Sequence, residues 1–201
     1  RGLIVSCQAR ADNPLHGPAF MGAMALAARD GGAVAIRANG PDDIAAVKAA
    51  GLPVIGIHKI FSDEYPVYIT PSFAAAEAVV AAGADIVGLD CTTRPRDGVP
   101  ALALIRRIRQ EMGVPVFADV SNLEEARAAT DCGATYIATT LSGYTAATQS
   151  ANQEPDLALV EALATRLPIP VIAEGRYNTP ALVRQAFEAG AHAVVVGTMI
   201  T

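Results

Sequence analysis

The sequence predicts an α/β fold, a (β/α)₈ barrel in which eight parallel strands alternate with helices. The first observation is composition, because 52% hydrophobic and only 17% charged residues suit a sheet that helices cover on both faces. The second is a regular alternation of short Val/Ile/Leu runs with Ala-rich helical segments. The third is a repeated Gly or Pro signal before the strands. We expect residues 1–201 to form a single barrel domain.

Eight candidate strands are short and nearly continuously apolar, as parallel strands buried on both faces require. In chain order they are Leu3–Ser6, Ala33–Arg37, Val54–Ile57, Ile86–Leu89, Val116–Asp119, Tyr136–Thr139, Val171–Ala173 and Ala193–Val196.

Seven helical patterns lie between these strands, which implies consecutive β/α units. They are Pro18–Arg29, Asp42–Ala50, Phe73–Ala82, Ala101–Met112, Leu123–Cys132, Asp156–Arg166 and Pro180–Ala189. No helical pattern follows the eighth strand, so the final helix of the barrel is absent from this sequence, and we expect the natural chain to be longer.

Alternate strands are preceded by different residues. Gly-Ala comes before four of them, at residues 32, 83, 133 and 190, and Pro-Val opens three others, at residues 53, 115 and 170. Glycine ends the preceding helix, and proline fits a strand start where no ladder donor is needed. Since alternate strands supply the packing layers of an eight-stranded barrel, this pattern favours a closed barrel over an open doubly wound sheet.

Polar residues are concentrated where the strands end, and the loops after the strands form the active site in barrels of this class. They are Gln8, Arg37, Lys59, Asp90, Asp119, Thr139, Thr140, Ser142, Glu174, Gly175, Arg176, Gly197 and Thr198. The sequence therefore predicts an enzyme that acts on a small molecule at this end of the barrel.

Lys59 and Glu174 are the candidate proton-transfer groups, because each follows an apolar run directly or nearly so. A partly desolvated lysine has a lowered pKa and can exchange protons. Strands three and seven lie opposite each other in a ring of eight, so the two side chains would approach a substrate from opposite sides. The structural alternatives are a solvated loop lysine and an ion pair between Glu174 and Arg176.

A phosphate site is expected in the loops after strands seven and eight, the usual position in these barrels. Gly175 and Gly197 allow backbone N–H groups to approach an anion closely, and Thr198 adds a hydroxyl. Arg176 is a candidate partner either for the phosphate or for an acidic side chain.

Several function classes are disfavoured. The net charge is −5 and no basic run occurs, so we expect no nucleic-acid partner. No apolar run approaches the roughly 20 residues of a membrane span, so we expect no membrane association. Cys7, Cys91 and Cys132 lack metal-ligand spacing and are expected to be reduced, which favours a cytoplasmic location.

No metal is expected, because His16, His58 and His192 do not form a ligand set with carboxylates. The polar segment Gly143–Pro155 is long for a loop of this kind, and a mobile lid and a solvated insertion both explain it.

Several sequence strings carry a family resemblance. They are GLIVSCQ (2–8), AIRANG (35–40), IGIHK (55–59), TTLSGYT (139–145), EPDLALV (154–160), AEGRYNTP (173–180) and VVVGTMIT (194–201). They resemble the N-acylglucosamine-6-phosphate 2-epimerase family over nearly the whole chain. The resemblance implies conversion of N-acetylmannosamine 6-phosphate to N-acetylglucosamine 6-phosphate in bacterial sialic acid catabolism, without cofactor or metal. It also implies a homodimer.

The resemblance implies roles for individual residues. Lys59 and Glu174 match the catalytic pair, and Gln8, Arg37 and Asp119 match substrate contacts, with Thr140 and Arg176 as further candidates. Phosphate would lie near Gly175, Gly197 and Thr198. Family members usually continue beyond the position of Thr201 with an arginine that contacts substrate, and we expect a natural continuation that supplies it.

Three alternatives remain open from the residues. A buried lysine and an aldehyde substrate also suit a Schiff-base aldolase or lyase. A metal-dependent pentose-phosphate epimerase uses the same barrel but needs a histidine–carboxylate ligand set. A ligand-sensing barrel would bind the sugar phosphate without turnover.

Overall fold

Eight parallel strands close into a barrel in the computed structural model, which describes residues 1–149 and 154–200. Each strand pairs with its neighbours in chain order, and β8 pairs with β1. The strands are β1 (Gly2–Cys7), β2 (Ala35–Asn39), β3 (Val54–Ile57), β4 (Ile86–Asp90), β5 (Val116–Asp119), β6 (Tyr136–Ala138), β7 (Val171–Glu174) and β8 (Ala193–Val196). The predicted (β/α)₈ barrel is confirmed.

The helices cover the outside of the barrel. They are α1 (Pro18–Asp30), α2 (Pro41–Val47), α3 (Phe73–Ala81), α4 (Ala101–Arg107), α5 (Leu123–Asp131), α6 (Leu157–Arg166) and α7 (Pro180–Glu188). Within the two described stretches, none of the helices has the length and apolar character needed to cross a bilayer.

Two helices, α2 and α4, end several residues before the point that the sequence pattern predicts. The predicted helix Asp42–Ala50 continues after α2 as a 3₁₀ turn, Lys48–Ala50, and the predicted helix Ala101–Met112 continues after α4 as a π turn, Ile108–Met112. Each ends at a glycine with a left-handed backbone, with φ of 71° at Gly51 and 70° at Gly113. The helical periodicity persists through these turns, so the sequence does not reveal the change in hydrogen bonding.

The Gly and Pro signals mark the boundaries for the predicted physical reasons. The glycines of the four Gly-Ala pairs have φ of 88°, 98°, 98° and 101°, conformations that strain any other residue. The carbonyl of each proline in the three Pro-Val pairs accepts a backbone N–H from the neighbouring strand at 2.9 to 3.2 Å. Proline therefore contributes its acceptor to the ladder at a point where its missing donor costs nothing.

The core has two main layers. Between the strands and the helices lies a large cluster of Val, Ile, Leu and Ala side chains. Inside the barrel lies a smaller layer to which seven of the eight strands contribute buried side chains: Ile4, Ala35, Ile55, Phe117, Ala138, Ile172, Ala193 and Val195. This interior layer fills the barrel and forms the base on which the site is built.

Candidate active site

The floor of the site continues the inward-facing rows of the barrel. Side chains alternate along a strand, so a residue two positions beyond an interior residue also points inward. Arg37, Asp119 and Glu174 each stand two residues beyond a member of the interior layer. Charged groups therefore replace apolar ones at the carboxyl end of the barrel.

A cleft of about 1440 Å³ opens above this floor, large enough for a phosphorylated sugar. Its lining includes most of the predicted site residues: Gln8, Arg37, Lys59, Thr140, Glu174, Gly175, Arg176, Gly197 and Thr198. Asp119 is not part of the lining and is fully buried behind Arg37.

Arg37 is the centre of a buried ion network. Its Nη1 and Nη2 donate to the two carboxylate oxygens of Asp119 at 2.9 and 2.6 Å, and Nη1 also donates to Glu174 Oε2 at 2.5 Å. The Arg37 side chain is 1% exposed and that of Glu174 is 14% exposed, so Glu174 is the more open of the two to the cleft. Strand β2 extends to Asn39, so Arg37 lies within the strand and not at its end as predicted.

The network also shifts the pKa values of Arg37 and Glu174. Burial opposes the charge on Arg37, but the carboxylates of Asp119 and Glu174 outweigh it and raise the Arg37 pKa. For Glu174, burial and repulsion from Asp119 raise the carboxyl pKa, while Arg37 opposes the shift. Glu174 therefore retains a proton more readily than an ordinary glutamate. The alternative ion pair between Glu174 and Arg176 is absent from the described residues.

Lys59 lies two residues beyond the end of β3, half-buried at the cleft wall. Its backbone N–H donates to Asn39 Oδ1 at 2.8 Å, and its backbone forms an antiparallel bridge with Ile69. Burial is the largest cause of a lowered Lys59 pKa, and the positive charge of Arg37 adds to it, while Glu174 opposes it. Lys59 therefore has a larger fraction of neutral amine than a lysine in a solvated loop.

The loops after β7 and β8 supply the glycines expected for an anion. Gly175 has φ of 109°, and Gly197 packs against Ser6 without a side chain of its own. Thr198 is exposed beside them. All three residues line the cleft, and glycine at two of these positions leaves room for close approach to the backbone.

Arg176 is held by the loop after β6. It has φ of 65°, its Nη2 donates to the carbonyl of Ser142 at 2.9 Å, and its guanidinium lies 4.9 Å from the ring centroid of Tyr144. A side chain on Gly143 would lie 2.7 Å from the guanidinium and displace it, and the φ of 80° at this position also favours glycine. The charge of Arg176 thus remains available at the cleft.

Two other predicted residues are tied to the floor. Thr140 donates its hydroxyl to Asp119 Oδ1 at 2.5 Å, and Gln8 Nε2 donates to Ser6 Oγ at 2.8 Å. The Thr139 hydroxyl exchanges hydrogen bonds of 3.0 Å with the backbone of Glu174 and so joins β6 to β7 beside the acid.

The sequence predicts Asp90 among the cleft residues, and this prediction is wrong. It is fully buried, bonded to Thr92 and Arg94 and close to Arg96, and it does not line the cleft. Its carboxylate organises the loop after β4, because two arginines of that loop turn back onto it.

Sequence reasoning missed Asn39 and Tyr144, which both line the cleft. Asn39 is the last residue of β2 and lies two residues beyond Arg37, so the same alternation that selects Arg37 would have identified it. Tyr144 has no such signal, because its approach to Arg176 depends on two loops that are distant in sequence.

Within the described part of the chain, none of the three cysteines lines the cleft, whereas His16 does. The three cysteines are buried free thiols, and among the described residues no group of three His, Cys, Asp or Glu is arranged to hold a metal. Of the segment Gly143–Pro155, residues 150–153 lie outside the described residues, and so does Thr201.

Comparison with known proteins gives consistent matches. The family model described as "Putative N-acetylmannosamine-6-phosphate epimerase" (NanE) matches residues 21–201. A protein of Thermosynechococcus vestitus named "Putative N-acetylmannosamine-6-phosphate 2-epimerase" is 50% identical over 201 residues, covering 100% of this chain and 87% of its own length. A Clostridioides difficile protein of the same name is 46% identical over 200 residues, covering 99% of this chain and 89% of its own length.

Solved structures agree with these matches. The N-acetylmannosamine-6-phosphate 2-epimerase of Clostridium perfringens superimposes with a TM-score of 0.94 and 42% identity, covering 99% of this chain and 87% of its own. Thiamine phosphate pyrophosphorylase of Pyrococcus furiosus is only 18% identical, with a TM-score of 0.64, and shares the fold alone.

Proposed function

The chain belongs to the N-acetylmannosamine-6-phosphate epimerase family, and from that premise we propose that it inverts C2 of N-acetylmannosamine 6-phosphate to give N-acetylglucosamine 6-phosphate. The observation that carries the proposal is the arrangement of Lys59 and Glu174, which line one cleft: Glu174 ends β7, and Lys59 lies just beyond the end of β3, the opposite strand of the barrel. This arrangement suits removal of a proton from one face of a carbon and its return to the other.

The chemistry begins with ring opening, because C2–H is only weakly acidic in the closed sugar. The open form has an aldehyde at C1, so loss of the C2 proton gives an enolate whose negative charge lies on the C1 oxygen. The neutral amine of Lys59 takes the proton, and the C–H electron pair moves into the C1–C2 bond. Proton return to the opposite face then completes the inversion.

The directions of the two pKa shifts support these roles. The lowered pKa of Lys59 increases its fraction of neutral amine, and the raised pKa of Glu174 increases its fraction of protonated acid. Glu174 would assist ring opening or reprotonation, and the protonated lysine would act as the acid in the reverse direction.

Arg37, Gln8 and Thr140 would orient the substrate and stabilise charge on its oxygen atoms. Asp119 would act on the substrate through Arg37 and Thr140, because it is buried beneath both. Gly175, Gly197 and Thr198 would bind the phosphate, with Arg176 beside them. We place the reaction in sialic acid catabolism and propose that it needs no metal or cofactor.

The first test is proton NMR of the protein with N-acetylmannosamine 6-phosphate in D₂O. We expect N-acetylglucosamine 6-phosphate with deuterium at C2, at a rate that a chelator does not change. Folded protein that gives neither product nor exchange would refute the epimerase assignment, and loss of activity with chelator would refute metal independence.

A second test separates epimerisation from Schiff-base chemistry. We expect no mass increase on Lys59 after borohydride reduction in the presence of substrate, because the amine acts as a base and forms no bond to carbon. A substrate-sized adduct on Lys59 would instead favour an aldolase or lyase.

A further inference from the structure

The segment from His58 to Thr70 leaves the end of β3 and returns beside it. Its two ends pair as antiparallel strands: Ile60 donates its N–H to the carbonyl of Tyr68 and Thr70 to the carbonyl of His58, both at 2.9 Å. Lys59 and Ile69 face each other in this pairing. The backbone of Lys59 therefore belongs to a small hairpin base and not to β3 itself.

Thr70 joins this hairpin base to β4. Its hydroxyl accepts the N–H of His58 at 3.1 Å and donates to the carbonyl of Gly88 at 2.6 Å. The registered pairs between β3 and β4 are Ile55 with Ile86 and Gly56 with Val87, so Thr70 bridges the two strands just beyond their ladder. This hydroxyl acts beside one backbone bond between the hairpin base and β4, in which Asp90 donates its N–H to the carbonyl of Ile69 at 3.1 Å.

Thr70 keeps an unfavourable backbone conformation in order to do this. Its φ is 45°, which is uncommon for a β-branched residue, and its side chain is fully buried. Such strain persists only where the surroundings fix the residue from several sides, and it is concentrated at functional sites. Here the fixing contacts are the bonds to His58 and Gly88.

Lys59 is consequently held from both sides. On one side its own N–H is bonded to Asn39 at the end of β2. On the other, Thr70 fixes the preceding residue, His58, to β4. Thr70 does not line the cleft itself, so it can act on a substrate only through neighbours that do, which are Lys59, Tyr68 and Ile69.

We propose that Thr70 is a positioning residue that fixes the backbone of Lys59 and so sets the height of its amine in the cleft. The inference rests on the proposed function, because it takes Lys59 as the group that transfers the proton. Burial is the main cause of the lowered Lys59 pKa, so a displaced amine would gain solvent and its pKa would rise.

The test compares Thr70→Val, which keeps the shape and removes the hydroxyl, with Thr70→Ser, which keeps the hydroxyl. We expect Thr70→Val to lower kcat for C2 exchange by about 10- to 100-fold, the effect of a small misplacement of a reacting group, with KM changed less than about threefold. Thr70→Ser should retain activity within about threefold of the wild type.

A direct readout is the titration of lysine Cε signals by NMR in protein labelled with ¹³C at lysine. The lysines of the chain are Lys48 and Lys59, and Lys48 lies on the outer surface in an ion pair with Asp85, so it is an internal control. We expect Thr70→Val to raise the Lys59 pKa relative to the wild type.

Folded Thr70→Val with unchanged kcat and an unchanged Lys59 pKa would overturn the proposal. A loss of kcat without a change in the Lys59 pKa would also overturn it. If Thr70→Val does not fold, Thr70→Gly relieves the positive φ while still lacking the hydroxyl, and the same two results decide. If the wild type shows no exchange, the proposed function fails, whereas the titration still tests whether Thr70 fixes Lys59.

Discussion

Replacing Asp119 by Asn removes one negative charge from the buried ion network beneath the cleft. Arg37 then keeps only Glu174 as a carboxylate partner, although both Arg37 and Asp119 are almost completely buried. The Asn side chain retains a carbonyl that can accept the Thr140 hydroxyl, but its amide faces one of the two guanidinium nitrogens that now donate to Asp119 at 2.9 and 2.6 Å. An N–H of the new amide would therefore face an N–H of the Arg37 guanidinium, and neither buried donor would have an acceptor there.

The expected loss follows from the cost of leaving a buried charge partly unpaired. Breaking such a pair from one side costs 3–5 kcal/mol in measured cases, and we expect about 3 kcal/mol because Glu174 and the retained carbonyl compensate in part. For a chain of this size, about 3 kcal/mol lowers Tm by roughly 6–12 °C. We also expect kcat to fall by about 100-fold, because Arg37 and Glu174 lose their fixed geometry.

Circular dichroism, with thermal and urea unfolding, measures the loss of stability. The matched control is Asp30→Asn, which breaks the exposed Arg29–Asp30 pair and should cost well under about 1 kcal/mol. If Asp119→Asn is no more destabilising than this control, the buried network contributes little and our account of the floor is wrong.

Three further predictions concern the chemistry of the cleft. Lys59→Ala should abolish deuterium exchange at C2, while calorimetry should show that inorganic phosphate still binds. The control Lys48→Ala should change neither property. Exchange at the wild-type rate in Lys59→Ala would show that Lys59 is not the catalytic base. The rate of C2 exchange should rise with pH as Lys59 loses its proton. Because burial lowers the Lys59 pKa, the inflection of this pH profile should lie below the ordinary lysine pKa of about 10.4. An inflection at or above that value would contradict the role of Lys59 as the base. Gly175→Ala should weaken phosphate binding by about 10-fold, since φ of 109° strains alanine. The control Gly113→Ala imposes similar strain at φ of 70° outside the cleft and should leave phosphate affinity unchanged. Equal phosphate affinities in the two variants would place the phosphate elsewhere.

The repeated sequence signals predicted the barrel because they reflect local physical requirements. Glycines with positive φ end helices, prolines precede strands, and buried parallel strands are apolar, so each signal can be recognised within a few residues. The sequence does not distinguish an α-helical turn from a 3₁₀ or π turn, and therefore α2 and α4 are shorter than predicted. Their apolar periodicity continues although the hydrogen bonding changes.

The candidate site was predicted less completely, for a different reason. Positions at strand ends, together with the family resemblance, identified Arg37, Lys59 and Glu174, because a barrel brings all strand ends to one place. Which of these groups pair could not be predicted, since Arg37 and Glu174 are 137 residues apart and the sequence equally allowed Glu174 to pair with its neighbour Arg176.

By itself, the sequence determined the strand order, the end of the barrel that carries the cleft, and the residue types available there. Only the tertiary structure decided that Asp119 lies behind Arg37, that Asp90 turns away from the cleft, and that the Thr70 hydroxyl joins His58 to β4. The physical reason is that charge pairing and desolvation depend on distances of a few ångströms between groups on different strands. Such distances are fixed when the barrel closes and leave no signal in the local sequence.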